Sequence, residues 1–405
     1  MTSQHDEVRA GRGPTFRLAL HALRTACVGA SLLAAGVATA DEPAKPEWKY
    51  SAELMRPFWK GEVIDAESVL FIKDDKTGEA RASVLMPIRK MRAVRNAAGD
   101  VTYEEGRDYA WKPGYREITL PPGSRIVASP PSALRRAPKT QMFELTHRDG
   151  GGEILFGAKL EYHALQTSVT YEHEPDLWPA PVPTFDSKAS PRTVAKLKGR
   201  QPVSIVVLGD SISTGCNASG WADGAPFQPA YPELVRRHLQ EVYHDEVRLT
   251  NLSVGGMDTG WALTMIDKVV EPRPDLVVVA FGMNDSAGRS APDYRKNTET
   301  VVAGVRERLP DAEFILVASM VGNPAWTRLR HERFAEYRDA LLELRKPGVA
   351  VADVTSAWAR FLELKQDWDQ TGNGVNHPND FGHRVYAQII AALLVPDADP
   401  PSRTP

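Results

Sequence analysis

A serine, two possible amide donors and a histidine each follow or precede apolar runs in the C-terminal half of the chain. Ser211 comes just after the run 203–208, from which a glycine and an aspartate separate it. Gly256 and Asn284 follow the next two runs, and His377 precedes the last apolar helical pattern. A histidine can act as a general base that removes the proton of a serine hydroxyl, and a glycine N–H and an asparagine amide can donate hydrogen bonds to a ligand at the same edge. These residue types therefore predict a nucleophilic serine with a histidine base.

The elements around these residues alternate between strands and helices. Unbroken apolar runs predict strands, and apolar residues at helical spacing predict helices between them. This alternation favours βα units and a parallel sheet buried on both faces, with the reactive groups at the carboxyl ends of the strands. The predicted strands are 203–208, 247–252, 276–280 and 313–318, and the predicted helices are 231–244, 262–270, 293–309, 327–344 and 381–394.

The preceding part of the chain, residues 41–177, has a different pattern. It contains short β-branched runs separated by turn signals, with no sustained helical period, and this favours a β-sandwich or jelly-roll domain. The predicted strands are 68–73, 82–88, 100–106, 116–120, 153–157 and 167–171. A Pro-rich stretch follows, so residues 178–200 are predicted to be a linker with a short helix that begins after Ser190.

The two ends of the chain have the composition of processing and tail segments. Residues 1–40 carry four arginines, a small apolar run and the sequence Ala38-Thr39-Ala40, which predicts a signal peptide and export to the periplasm or the extracellular space. The apolar run is too short to span a bilayer, so no stable membrane insertion is expected after its removal. Residues 396–405 predict a disordered tail.

The four pieces, in this order, resemble the SGNH hydrolases, also called GDSL esterases, over about residues 200–395. The resemblance rests on four segments: 209–213, 251–256, 282–285 and 377–382. It implies a three-layer, flavodoxin-like α/β domain over residues 201–395. It further implies that Ser211 and His377 are catalytic. The oxyanion hole would consist of the Ser211 and Gly256 N–H groups and the Asn284 side chain.

The family usually has an aspartate three residues before the histidine, and here that position is Gly374. The group that orients His377 therefore stays open: a backbone carbonyl, Asn373, or a carboxylate such as Asp367, Asp369 or Asp380. His383 has the Asp-x-x-His spacing, but it lacks the following proline and lies within the last predicted helix. We therefore prefer His377 as the base.

The substrate prediction rests on aromatic residues after the strand ends. Trp221, Trp261 and Trp326 could stack on sugar rings or simply pack between domains. An exported esterase with a preceding β domain also resembles the bacterial carbohydrate acetylesterases, which implies an acetylated carbohydrate as substrate. A lipid or aryl esterase or thioesterase is an alternative, and a non-catalytic glycan-binding protein with a silenced site is another.

Other classes of function find little support in the composition. The formal net charge of -3 gives no basic field for nucleic acid. His147, His163 and His173 lack a compact ligand spacing, so neither a metal nor a cofactor is expected. Of the two cysteines, Cys27 lies in the predicted signal peptide, which leaves Cys216 without an intramolecular disulfide partner.

Overall fold

The computed structural model describes residues 47–396. The predicted signal peptide, and all but Pro396 of the predicted tail, lie outside the described residues. Within the described part, no helix has the length and apolar character needed to cross a membrane.

The first part of the described chain is a mainly antiparallel β region spanning residues 63–172. Seven of its strands form one sheet in the order β3-β9-β1-β2-β5-β4, with β6 beside β1, and β7 and β8 form a separate ribbon. The strands are β1 (Val63–Lys73), β2 (Ala80–Ser83), β3 (Lys90–Asn96), β4 (Ala110–Trp111), β5 (Glu117–Leu120), β6 (Ala128–Ser129), β7 (Arg135–Arg136), β8 (Glu153–Ile154) and β9 (Gln166–Glu172).

The long strand β1 holds this region together. Its residues 63–70 pair with β9, and its last residues pair with β2 and β6. The predicted strand 82–88 differs from the structure because β2 ends at Ser83, four residues before Pro87, which cannot donate to a ladder. β3 was not predicted. The sandwich or jelly-roll form stays a prediction.

The second part is an α/β region, residues 203–392, built on a sheet of five parallel strands in the order β11-β10-β12-β13-β14. This confirms the α/β class with a parallel sheet. The strands are β10 (Val203–Gly209), β11 (Val247–Asn251), β12 (Leu276–Phe281), β13 (Glu313–Ala318) and β14 (Val349–Asp353).

Helices cover both faces of the parallel sheet. Ile205 and Val207 of β10 belong to one hydrophobic cluster, and Val206 and Leu208 to another, as alternation along a doubly buried strand requires. Short α1 (Ala52–Met55) and α2 (Pro191–Lys198) precede the sheet. The α/β region itself contributes α3 (Ser211–Thr214), α4 (Tyr231–Tyr243), α5 (Thr259–Ala262), α6 (Ile266–Val270), α7 (Ala291–Arg308), α8 (Glu332–Glu343), α9 (Val354–Leu364), α10 (Asp367–Gln370) and α11 (Asp380–Ala392).

The β region and the α/β region share one hydrophobic core. A single buried cluster includes residues of both, from Trp48 to Leu394. Polar contacts join them as well: the buried Lys365 Nζ lies 2.5 Å from a carboxylate oxygen of Glu67, and Asp369 Oδ1 accepts from the N–H of Leu70 at 2.7 Å. The Pro-rich stretch thus separates two sheets without separating two cores.

Candidate active site

Ser211 begins the short helix α3 at the carboxyl end of the central strand β10. The chain turns tightly here, and a Cβ at Gly209 would lie 2.7 Å from the carbonyl oxygen of Ala280, so only glycine fits. The Asp210 carboxylate caps the helix by accepting from the N–H of Ile212 at 2.9 Å. Asp210 therefore stabilises the turn, and Ser211 stands at the mouth of the sheet.

His377 lies in the loop before α11, and its ring reaches Ser211. The Nε2 atom is 2.9 Å from Ser211 Oγ, and the histidine is 9% exposed. This distance is the one a general base needs to remove the hydroxyl proton. His383 lies elsewhere: its ring accepts from the N–H of Tyr231 and donates to the carbonyl of Cys216.

The other ring nitrogen of His377, Nδ1, lies 2.8 Å from Oδ1 of Asn217. In the structure this contact is made by Asn217 and by none of the four candidates named from the sequence, namely Asn373, Asp367, Asp369 and Asp380. Asn217 follows α3 with a left-handed φ of 66° and is buried. From the sequence, this asparagine was given no role. Its position six residues after the serine carries no orienting signal by itself.

The four candidates have other partners, which explain why they cannot reach the ring. The side-chain oxygen of Asn373 accepts three backbone N–H groups of its own loop, including that of His377 at 3.0 Å, so it shapes the loop rather than the imidazole. The carboxylates accept from more distant groups: Asp367 from Asn323, Asp369 from Leu70 and Asp380 from Ser219.

Burial sets the charge state of these groups. Burial, with a smaller contribution from His383, lowers the pKa of His377 to about 3. The imidazole is therefore neutral near pH 7 and can accept a proton. Burial raises the pKa of Asp367 to about 7 and that of Asp369 to about 6.

The predicted oxyanion donors surround the same opening. Gly256 has a φ of 75°, a backbone conformation that favours glycine. The Asn284 side chain donates to the carbonyl of Met257 at 2.9 Å, which fixes the orientation of its amide. The buried Asp285 accepts from the Thr259 hydroxyl at 2.6 Å. This bond joins the segment that carries Gly256 to the turn that carries Asn284. Asp285 has this structural role rather than a chemical one.

A cavity of about 550 Å³ brings these groups together. Ser211, Gly256, Asn284 and His377 all line it. The β region supplies part of its wall through residues 142–146 and 156, 158 and 159. The cavity is thus bounded by both regions of the chain.

Two of the three predicted substrate tryptophans line this cavity, namely Trp221 and Trp326. The third does not, which corrects that prediction. Trp261 lies on α5 and packs against Phe281, with ring centroids 6.3 Å apart, because the face of its short helix is turned toward the sheet. Among residues 47–396, no group of three or more histidine, cysteine and acidic side chains is arranged to hold a metal ion.

Comparison with known proteins gives one family model that matches part of the chain, residues 207–385. That segment matches the model of the GDSL-like lipase/acylhydrolase family. A comparison with curated proteins finds no match.

Several solved structures are similar to the chain. A two-domain esterase active on acetylated mannans, crystallised with mannopentaose, is 17% identical with a TM-score of 0.40; the match covers 54% of this chain and 58% of that one. A lipase/acylhydrolase from Enterococcus faecalis is 23% identical over 47% of this chain and 93% of that one, with a TM-score of 0.38. A mutant acetyl-xylooligosaccharide esterase from Geobacillus Stearmophilus is 19% identical over 46% and 94%, also with a TM-score of 0.38.

Proposed function

We propose that this chain is an ester hydrolase that removes O-acetyl groups from a polysaccharide or oligosaccharide; the match of residues 207–385 to the GDSL-like lipase/acylhydrolase family supports ester hydrolysis. The observation that supports this most is the hydrogen bond of 2.9 Å between Ser211 and His377 within a cavity lined by tryptophans.

In the first half of the reaction, Ser211 Oγ attacks the acetyl carbonyl and its proton moves to Nε2 of His377. The carbonyl oxygen becomes an oxyanion, which accepts hydrogen bonds from the N–H groups of Ser211 and Gly256 and from the Asn284 amide. The bond to the sugar oxygen then breaks, and His377 returns the proton to that oxygen. The products are a free sugar hydroxyl and acetyl-Ser211.

In the second half, water replaces the sugar. His377 takes a proton from the water while the water oxygen bonds to the acetyl carbon. The same donors hold the second oxyanion. Collapse of this intermediate breaks the bond to Ser211 Oγ, which regains a proton from His377, and acetate leaves.

The cavity walls support a carbohydrate as the alcohol part. Trp221 and Trp326 offer flat aromatic surface, while Glu144, Lys159 and Arg328 bring charged and hydrogen-bonding groups to the same opening. Sites that combine aromatic surface with a few polar groups fix the orientation of a ring that carries hydroxyls. A cavity of about 550 Å³ has the volume of a small-molecule site.

One observation favours a second candidate, a lipid or aryl ester. Met142 lies at the same cavity and is 70% exposed, and the neighbouring Phe143 and Phe156 rings pack edge to face at 4.9 Å. This wall could hold an acyl or aryl group. The two candidates differ in which side of the ester bond the cavity recognises.

Acetate release by the purified protein tests the proposal. We expect release from acetylated xylan or mannan oligosaccharides, and slower hydrolysis of long-chain esters. Ser211→Ala should abolish release and leave the unfolding midpoint nearly unchanged. The matched control is Ser213→Ala, which should retain acetate release. It removes another buried serine hydroxyl, one that bonds Tyr231 at 2.7 Å and does not line the cavity. Acetate release by Ser211→Ala, or preference for long-chain esters, would refute the respective part of the proposal.

We also propose that the protein is exported, on the basis of the pattern in residues 1–40. The expected N-terminus of the processed protein is Asp41. Sequencing the N-terminus after expression in a bacterium with an export system checks this, and an intact Met1 on the soluble product would contradict it.

A further inference from the structure

The space where this family usually carries an acidic side chain is occupied by a residue of the β region. Gly374 has a φ of 75°, and a Cβ there would lie 2.7 Å from Cε2 of Tyr162. The Tyr162 hydroxyl donates to the carbonyl of Leu155 at 3.0 Å, and the side chain is buried. No side chain at position 374 could therefore reach His377 without displacing this tyrosine.

Asn217 contacts the histidine instead, and its own environment fixes which way its amide points. Its Nδ2 atom lies 3.1 Å from the carbonyl oxygens of Gly157 and Lys159 and 3.2 Å from that of Gly372. An amide oxygen cannot face three carbonyl oxygens, whereas an NH₂ group can donate to them. The opposite side of the amide, Oδ1, must then face His377.

This orientation determines the tautomer of the imidazole. Since Oδ1 only accepts, Nδ1 of His377 must carry the hydrogen, and Nε2 presents its lone pair to Ser211 Oγ. A histidine in the other tautomer could not remove the serine proton. In a serine protease, exchange of the orienting aspartate for asparagine costs about 10⁴ in kcat because the tautomer is wrong. Here the three carbonyls fix the orientation of the Asn217 amide, so its oxygen faces the ring and only the active tautomer of His377 is compatible with it.

We propose that Asn217 is the positioning residue of His377 and that the β region, through the carbonyls of Gly157 and Lys159, holds this amide in its working orientation. This rests on the proposed function only in using ester hydrolysis as one readout. The β region is then a part of the proton-transfer device as well as a wall of the cavity. A carboxylate at position 217 would lose all three donated bonds and place its charge against three carbonyl dipoles.

The electrostatic surroundings of His377 make the exchange of Asn217 for aspartate a distinctive test. The titratable groups that face the ring or share its cavity are Cys216, His383, Glu144, Lys159 and Arg328. None of the orienting candidates places a carboxylate on Nδ1. A new carboxylate 2.8 Å from Nδ1 would stabilise the imidazolium and raise the pKa of His377 by about one to three pH units.

The experiment compares Asn217→Ala and Asn217→Asp with the wild-type protein, using 4-nitrophenyl acetate. Asn217→Ala should lower kcat by about 10²–10⁴, with KM changed little, because the ring loses its orientation. In Asn217→Asp the acid limb of kcat/KM should move up by about one to three pH units. The matched control, Asn96→Ala, removes an amide that bonds only Asp100 and Val101 in a surface turn, and it should retain wild-type kinetics.

A measurement on the wild-type protein keeps the proposal testable if these variants do not fold. Nitrogen-15 NMR of the histidine side chains, with the His377 signals identified by their loss in His377→Gln, should show hydrogen on Nδ1 at pH 7. Hydrogen on Nε2 would overturn the proposal, as would an Asn217→Ala variant with wild-type kcat. If the wild-type protein hydrolyses no ester, the proposed function fails, while the tautomer still decides the role of Asn217.

Discussion

Replacing Lys365 by methionine should strongly lower the free energy of unfolding, because it leaves the Glu67 carboxylate charged and buried between the two regions without its cation. Lys365 and Glu67 are both 0% exposed, and the ammonium also donates to the carbonyl of Ser68 at 2.6 Å. Among residues 47–396, Lys365 is the one cation within 4.0 Å of Glu67. Breaking such a pair from one side costs about 3–5 kcal/mol, which lowers the ratio of folded to unfolded protein about 10²- to 10⁴-fold.

The remaining partners of Glu67 indicate how the loss can be recovered. The carboxylate also accepts from the N–H of Leu85 at 2.9 Å and from the Tyr171 hydroxyl at 2.7 Å. A glutamine carries no charge, and its single amide oxygen, placed where the carboxylate oxygen beside Tyr171 lies, can still accept from the Tyr171 hydroxyl and, at 3.2 Å, from the N–H of Leu85. The double variant Glu67→Gln/Lys365→Met should therefore regain about 1–3 kcal/mol relative to Lys365→Met alone.

Urea unfolding followed by tryptophan fluorescence measures these changes as shifts of the midpoint at constant slope. Lys268→Met serves as the matched control because its ion pair with Glu271 lies on the surface, with both side chains more than 60% exposed, and its midpoint should not shift measurably. A Lys365→Met midpoint equal to that of the wild type, or a double variant no more stable than the single one, would refute the reasoning.

Three further predictions concern the site. Burial holds the pKa of His377 at about 3, so this base stays neutral between pH 7 and pH 5, and kcat/KM for a neutral ester should remain constant over that range. Loss of half the activity near pH 6.5, in protein that is still folded, would contradict this. Asn284→Ala should lower kcat about 10²- to 10³-fold in steady-state assays with little change in KM, and a change in KM alone would exclude an oxyanion role. Trp221→Ala should raise KM for an acetylated oligosaccharide but not for 4-nitrophenyl acetate, whereas Trp261→Ala should lower the unfolding midpoint and leave both KM values unchanged; the reverse pattern would place the substrate against Trp261.

The sequence was most informative where chemistry follows directly from a strand. Ser211, Gly256 and Asn284 each come shortly after an apolar run, and the carboxyl ends of parallel strands share one edge of a sheet. Their presence in one cavity with His377 was therefore predictable from order and spacing alone. The parallel sheet was predictable for the same reason.

Sequence patterns were weaker where a strand is short or poor in β-formers. β14 was missed because its five residues contain two alanines, which are depleted in strands, and it follows a turn at Gly348. The run 100–106 was expected to be a strand, but it forms only isolated bridges, and it contains four residues disfavoured in strands: an aspartate, two glutamates and a glycine.

The orienting asparagine could not be predicted because its role depends on contacts that are remote in sequence. Asn217 meets carbonyl groups that lie 58 to 155 positions away, and the histidine 160 positions away. Local propensity identifies an asparagine in a left-handed loop as a turn residue and no more. Asn217 differs from an ordinary turn residue because carbonyl groups of the β region contact its amide. No sequence pattern near position 217 indicates that contact.

The shared core also determines the order in which parts of the chain can fold during synthesis. During synthesis, β1 emerges about 300 positions before Lys365 and Asp369, the residues that neutralise and cap its buried groups. A ribosome adds about 5–20 residues per second, so the first sheet waits for many seconds without the partners it needs. Contacts of such long range slow folding, and they make synthesis of the segment that carries Lys365 and Asp369 a condition for the N-terminal sheet to become native.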